Sequence, residues 1–279
     1  MRFLLALGSV ACVTPRPAQD PTSWFDPGVD YDVQEPVAFT DVPYDFTGDV
    51  PIADLPEPEP FFTWFGASDA PAVDGCADWD VDPTGTLPAE ITGIVTILPR
   101  FYFKTSGCTG DPSADSDEKY YGSYFIEDAS GGFFVLGDSK VAHFDMGDRV
   151  TLKVRAIKES FEQFMISTHD VVEVERGPEP ISYQRVTGPL GAEHMSRVVR
   201  VQGVVTTPAS TFGEIYFEGG GVGYKLALDQ ELGRRGVTYP VGTTIEVTGP
   251  VLFSNFPGET VPYEVIVMRV GQIETLAEP

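Results

Sequence analysis

Basic side chains are scarce in this chain of 279 residues, which carries 18 lysines and arginines against 42 aspartates and glutamates, a formal charge of -24. Such a charge favours solubility and disfavours polyanions as partners. The imbalance is steepest near the start: residues 13–90 hold 17 acids and one base, whereas residues 91–279 hold 25 acids and 16 bases. Nucleic acid is therefore disfavoured as a partner but not excluded, because acidic proteins can carry local basic patches.

Signatures of catalysis are also lacking. The three histidines, His143, His169 and His194, are not spaced as metal ligands with the cysteines, and neither G-x-S-x-G nor H-E-x-x-H occurs. The glycine-rich stretch 219–223 is typical of a hairpin turn, since no helix pattern follows it for a phosphate loop. We predict that the protein is not an enzyme and needs no cofactor. A metal-dependent hydrolase using acidic loops remains an alternative.

Cysteine is rare, and the first of the three lies in an N-terminal segment, residues 1–12, with its own pattern. A charged start and a short apolar run have the layout of a secretory signal, and the run is far shorter than the ~20 residues that span a bilayer. Val10-Ala11-Cys12 resembles the bacterial lipoprotein signal, although Ser9 stands where leucine is usual. The resemblance implies export, a lipid on Cys12 and anchoring to the cell envelope, at the outer membrane or outside the cell. An ordinary apolar N-terminus or a misplaced start codon are the alternatives.

Cys76 and Cys108 are the other two cysteines. Both lie outside the predicted core strands, and an exported protein meets an oxidising environment, so we predict a disulfide between them. A bridge closing about thirty residues would contribute ~3 kcal/mol in the chain-entropy model. Two free thiols are the alternative.

Residues 13–88 hold 13 of the 24 prolines, mixed with acids and isolated aromatics. Proline lacks a backbone donor and fixes φ, and like charges repel, so this segment is predicted to be a largely disordered, extended tether. Its aromatics, including Tyr44, Phe46 and the run 61–65, are more numerous than a linker needs. They favour packing of parts of the tether on the folded region, and a partner-binding motif is the alternative.

Short strands dominate after residue 89, with almost no helical periodicity. Two runs joined by Gly131-Gly132 predict a hairpin at 124–136, and further strands are predicted at 91–97, 150–157 and 164–174. A loop is expected between the first strand and the hairpin, residues 98–120. The same order recurs later, with 201–206 matching the first strand and 212–218 matching 121–127. The chain is therefore predicted to hold two copies of a five-stranded unit, at 89–180 and 190–279.

A strand with V-x-G-x-V, the hairpin Tyr124-Phe125-Ile126-Glu127-Asp128-Ala129-Ser130-Gly131-Gly132 and a Gly-Asp before the fourth strand resemble OB-fold domains of secreted bacterial proteins, including those that accompany extracellular nucleases. The resemblance implies an all-β fold of two tandem five-stranded barrels that bind ligands on strands 2 and 3. The predicted function is non-catalytic binding or scaffolding at the envelope surface, with an unknown protein or glycan partner. Binding of single-stranded nucleic acid or oligosaccharide is the alternative.

Such a ligand would need aromatic platforms and, for nucleic acid, cations beside them. Candidate ligand residues are aromatic or basic positions on the predicted strands and on the loop before the hairpin. They are Tyr102, Tyr124, Phe133, Lys153, Arg155, Tyr216 and Tyr224.

Two acidic clusters are candidate calcium sites, because Ca²⁺ takes six to eight oxygen ligands. The first alternates along the chain and the second lies in the long loop, but Pro83 stands where an EF-type loop needs glycine. Solvated acidic loops are the alternative. The candidate ligands are Asp78, Asp80, Asp82, Asp115 and Asp117.

Overall fold

The computed structural model describes the two strand-rich regions and a segment that precedes them. Its described residues are 37–56, 87–98, 101–106, 117–135, 145–160, 163–211, 213–229, 232–233, 235–254 and 260–279. These residues form fifteen strands, three short 3-10 turns and a helical fragment at residues 232–233, so the predicted all-β class is confirmed.

The strands of the first unit are rich in β-branched and aromatic residues, and the turn of its hairpin contains glycine. It is preceded by a two-residue strand and a 3-10 turn, Ile52–Asp54. The strands are β1 (Phe39–Thr40), β2 (Ala89–Val95), β3 (Phe101–Ser106), β4 (Asp117–Glu127), β5 (Gly132–Val135), β6 (Arg149–Ser160) and β7 (Gln163–Glu175).

A linker with two very short strands and a 3-10 turn, Ala192–His194, leads to the second unit, which has another 3-10 turn at Val270–Gln272. The linker strands are β8 (Ile181–Ser182) and β9 (Gln184–Arg185). The strands of the second unit are β10 (Val198–Thr207), β11 (Glu214–Gly219), β12 (Val222–Leu228), β13 (Thr244–Phe253), β14 (Tyr263–Val267) and β15 (Ile273–Ala277).

The second unit is a closed five-stranded barrel. Its strands pair in the ring β10-β11-β12-β14-β13, and β13 returns to β10. Strands β12 and β14 run parallel, whereas the other four pairs are antiparallel. This order, with the third and fifth strands parallel, is that of an OB-type barrel.

The first unit repeats the same pairing order, β2-β4-β5-β7-β6, with β5 and β7 parallel. Two residue pairs, Ile94 with Glu127 and Val95 with Ile126, join β2 to β4. The internal repeat in the sequence is therefore a repeat of topology. The second unit is a closed barrel, and the first unit is a ring in which β2 pairs with β4 over a short stretch.

Two strand boundaries differ from the sequence expectation. The predicted loop 98–120 contains β3 and the start of β4, which pair as an antiparallel hairpin. The internal repeat also predicts one closing strand for the second copy at residues 263–273, the counterpart of 164–174. The structure divides it: β14 pairs with β12 and β13, and β15 begins at Ile273 on the other part of β13. Both boundaries were predicted from a local sequence pattern, whereas the end of a strand is decided by the strand with which it pairs.

The segment 37–56 packs on the first unit, so the folded region begins well before the boundary predicted at residue 88. Ile52 is fully buried in the apolar cluster of the first unit, with Leu55 beside it and Tyr44 and Phe46 packed against it. The packing expected of the tether aromatics is thus confirmed for Tyr44 and Phe46, while the run 61–65 lies outside the described residues.

Hydrogen bonds hold this segment in place. β1 pairs in parallel with β8 of the linker, and the carboxylate of Asp128 accepts the Ile52 N–H at 3.2 Å and the Gly131 N–H at 3.0 Å. Asp128 therefore joins the segment to the turn of the β4–β5 hairpin. Because both ends of the segment bond to the fold, it belongs structurally to the first unit.

Candidate binding faces of the two units

In each unit the outer surface of the second and third strands is the face that OB-type proteins use for ligands. In the first unit this is the β4–β5 face, formed by Phe125, Glu127, Gly132 and Phe134. Side chains two apart share one face of a strand, and Phe125 and Phe134 are cross-strand partners with ring centroids 4.8 Å apart. Both rings are completely buried. The β4–β5 face is therefore covered.

The second unit covers it. The apolar cluster that holds Phe125 and Phe134 also contains Val198, Leu252 and Ile266 of the second unit. Glu127 accepts a hydrogen bond from the Val198 N–H at 3.0 Å and contacts Arg197 Nε at 3.3 Å. The surface that the fold offers to a ligand in the first unit is thus used to bind the second unit.

The contact is organised around the segment Ser196–Val198, which we call the clasp. Ser196 adopts a left-handed backbone with φ of 62°, and its hydroxyl accepts a hydrogen bond from Gln163 Nε2 at 3.3 Å. The same glutamine accepts the Phe253 N–H through Oε1 at 3.3 Å. Gln163, at the start of β7, therefore bonds to two places in the second unit. A non-glycine residue at positive φ costs free energy, which the surrounding bonds must offset.

Burial dominates the electrostatics of Glu127, whose side chain is only 5% exposed. Loss of water raises its pKa to about 8, and the hydrogen bond from Val198 and the charge of Arg197 oppose this rise. Tyr44 lies in the same environment, where burial and then the charge of Glu127 raise the pKa of its phenol. Glu127 is therefore a carboxyl that titrates near neutral pH inside the contact between units.

The corresponding surface of the second unit, the β11–β12 face, comprises Glu214, Tyr216, Glu218, Gly223 and Lys225. Tyr216 and Lys225 are cross-strand partners, so their side chains share this face, and Tyr216 is half-buried. Lys225 is completely buried, with Nζ 3.2 Å from Glu264 Oε2 on β14 and 4.0 Å from Glu214 Oε1.

The charges of this face leave no cationic excess. The single lysine contacts two carboxylates, and Glu218 adds an exposed one. A polyanion would be repelled here, whereas a ligand that donates hydrogen bonds to carboxylates and stacks on one ring would be accommodated.

The structure corrects two of the predicted ligand residues. Tyr124 is 2% exposed and Tyr224 is 1% exposed, because both rings face the apolar cores. The Tyr124 hydroxyl lies 3.2 Å from His169 Nε2, and the Tyr224 hydroxyl donates to the Gly188 carbonyl at 3.0 Å. Neither ring offers a stacking surface.

The remaining ligand candidates of the first unit are divided among three strands. Phe133 pairs with Ile126 on the inner side of the hairpin, and Lys153 and Arg155 lie on β6. Arg155 donates to the Asp170 carboxylate at 2.8 Å, and this bond lowers the pKa of that exposed carboxyl. Tyr102 belongs to β3 at the end of its sheet. Among the candidates whose side chains the structure describes, Tyr216 alone lies on a ligand face with part of its side chain accessible.

Several predicted sites lie outside the described residues: the proposed lipid attachment at Cys12, the predicted pair Cys76 and Cys108, and the acidic positions Asp78, Asp80, Asp82 and Asp115. Asp117 is the first residue of β4. Within the described ranges no three metal-ligating side chains cluster, and no helix there is long and apolar enough to cross a membrane. The disulfide and calcium hypotheses stay predictions.

The residues that the sequence reasoning missed are Phe125, Phe134, Glu127 and Lys225. A signal for them was present. A glutamate cannot point into a small apolar barrel, so Glu127 and Glu218 fix the outward side of their strands, and the residues two positions earlier, Phe125 and Tyr216, must also point outward.

Comparison with known proteins adds only distant similarities. No family model and no curated protein matches the chain. The crystal structure of the tetrameric p202 HIN2 is similar with 13% identity and a TM-score of 0.29, over 68% of this chain and 92% of that chain. A murine DNA binding protein bound with ds DNA is similar with 12% identity and a TM-score of 0.31, over 64% of this chain and 93% of that chain. The class of the protein, all-β with OB-type strand order, therefore rests on its own strand pairings.

Proposed function

We propose that this chain is a non-catalytic binding protein of the bacterial cell envelope, in which the two units act as one body and the β11–β12 face carries the ligand. The proposal is supported by the side chains of this face, where the half-buried Tyr216 lies beside Glu214 and the exposed Glu218, and where the buried Lys225 is neutralised by Glu264 and Glu214. The covered β4–β5 face supports it too, because in the part of the chain that the structure describes the β11–β12 face keeps accessible side chains, those of Tyr216 and Glu218.

The ligand class follows from the groups on that face. Tyr216 offers a ring for stacking, and Glu214 and Glu218 accept hydrogen bonds. A neutral oligosaccharide has apolar ring faces and many hydroxyl donors, so it matches this surface without requiring cations. The envelope location rests on the N-terminal segment that ends in Cys12, which would place the body on an acidic tether.

Binding to a panel of neutral, cationic and anionic glycans by the purified chain tests the ligand class. We expect saturable binding of a neutral or cationic glycan. Tyr216→Ala should lower the affinity at least tenfold and Tyr216→Phe should retain the affinity, because a sugar stacks on the ring and not on the hydroxyl. Equal binding by both variants would contradict the assigned face.

Single-stranded nucleic acid is the second candidate, favoured by the outward ring of Tyr216, since base stacking needs such a platform. A gel shift with single-stranded DNA at low salt separates the two candidates. Saturable, salt-sensitive binding would replace the glycan proposal, and absence of a shift at low salt would exclude nucleic acid.

Mass spectrometry of the mature N-terminus tests the anchor: an unmodified Cys12 still preceded by Ala11 would refute lipidation.

A further inference from the structure

The carboxyl group of Glu127 lies between the two units and touches the second with both oxygens. One oxygen accepts the Val198 N–H at 3.0 Å, and the other lies 3.3 Å from Arg197 Nε. The side chain is 5% exposed. Separation of the units would return this carboxyl to water together with the β4–β5 face.

The charged and titratable groups around Glu127 come from four parts of the chain. Arg197 of the clasp is the cation that contacts it, and Asp128 is its acidic neighbour on the hairpin. Burial raises the pKa of the Tyr44 phenol in the N-terminal segment. The charges of Glu127 and Glu179 raise this pKa further, and the charge of Arg197 opposes the rise. The backbone carbonyl of His194 accepts the Arg197 N–H at 3.0 Å, which puts that histidine at the edge of the clasp. Among the described residues, Arg197 is the cation in contact with Glu127, whereas Glu179 has its own partner in Arg149.

We propose that Glu127 makes the contact between the units a pH-sensitive closure, which tightens in acid, loosens in base, and controls exposure of the β4–β5 face. This goes beyond the proposed function, which uses the other face. Burial raises the pKa of Glu127 to about 8, so the closed form holds its proton more tightly than an open form with the carboxyl in water. Linkage then requires closure to weaken as pH rises from about 4.5 to about 8.

Loosening would uncover Phe125 and Phe134, two rings in edge-to-face contact on the strands that OB-type proteins use for binding. The second unit would thus act as an internal cover whose hold depends on pH. The clasp is suited to this role because its contacts come from three consecutive residues: Ser196, Arg197 and Val198 each form a hydrogen bond with the first unit.

Hydrogen exchange of the Val198 amide, followed by NMR on the full chain and corrected for the intrinsic exchange rate at each pH, tests the proposal. We expect protection to fall by ~10-fold or more between pH 6 and pH 9, and to show no such fall in Glu127→Gln. Glu218→Gln is the matched control, because Glu218 is the corresponding and exposed glutamate of the second unit. It should retain the dependence.

Two results would overturn the proposal. A pH-independent protection factor in the natural sequence would contradict the switch, and a pH dependence that survives in Glu127→Gln would assign it to another group. The carboxyl ¹³C shift of Glu127 needs no variant: we expect a midpoint near 8, and a midpoint near 4.5 would contradict the proposal even if Glu127→Gln failed to fold.

Discussion

Gly132 of the first unit lies directly against the backbone carbonyl of Ser196 in the second, so closely that a Cβ on Gly132 would overlap that oxygen. The contact is between backbones, which cannot rotate away as a flexible side chain would. Gly132→Ala should therefore destabilise the protein by ~1–3 kcal/mol, the range seen for overpacking. Urea unfolding followed by circular dichroism measures this loss.

Gly131→Ala is the control for that substitution. A Cβ at the adjacent glycine would meet its nearest atom, the Ala53 Cβ, at 3.4 Å, which is an ordinary contact. Its stability should stay within ~0.5 kcal/mol of the natural sequence. Equal losses from the two alanines would show that the hairpin turn itself, and not the contact with Ser196, requires glycine.

Ile52 tests whether the N-terminal segment is part of the first unit. Its side chain is fully buried in that core, so Ile52→Ala should cost ~2–5 kcal/mol of unfolding free energy. Val42, in the same segment, is 65% exposed, and Val42→Ala should change stability by less than ~0.5 kcal/mol. If Ile52→Ala were equally neutral, the segment would not be anchored in solution.

Arg197 should hold down the pKa of Glu127, since its charge favours the carboxylate. Replacement by the similarly long but neutral methionine, Arg197→Met, should raise that pKa further above 8, as read from the carboxyl ¹³C titration of Glu127. Arg155→Met is the control, because Arg155 bonds to Asp170 and not to Glu127. A lower Glu127 midpoint in Arg197→Met would contradict the electrostatic account.

Lys225 is expected to contribute to the stability of the second unit, because it is buried and paired with Glu264. Breaking a buried ion pair leaves the partner charge uncompensated, so Lys225→Met should cost ~3–5 kcal/mol, and adding Glu264→Gln should recover part of the loss. Lys153→Met, at a partly exposed position on β6, serves as the control and should change stability by less than ~0.5 kcal/mol. No recovery in the double variant would show that Glu264 does not compensate Lys225.

The fold was largely predictable and the closure was not. Glycines, aromatics and the internal repeat identified the β4–β5 hairpin and its second copy, because those signals are local. The orientation of Tyr124 and Phe125 was ambiguous since both sides of β4 are buried, one by the core of its own unit and one by the second unit. Glu127 and Val198 are 71 residues apart, and no periodic pattern records such a contact.

Because the second unit covers the β4–β5 face, we expect the two units to form one cooperative body. Native-state hydrogen exchange in increasing urea, read at the Phe125 amide in β4 and the Val265 amide in β14, tests it most directly. We predict that both amides exchange through one common opening with the same free energy and the same dependence on urea. Exchange of Phe125 while Val265 stays protected would reveal two separate openings and would contradict one cooperative body. Gly132→Ala should lower the free energy of opening at both amides, and no change at either would contradict it as well.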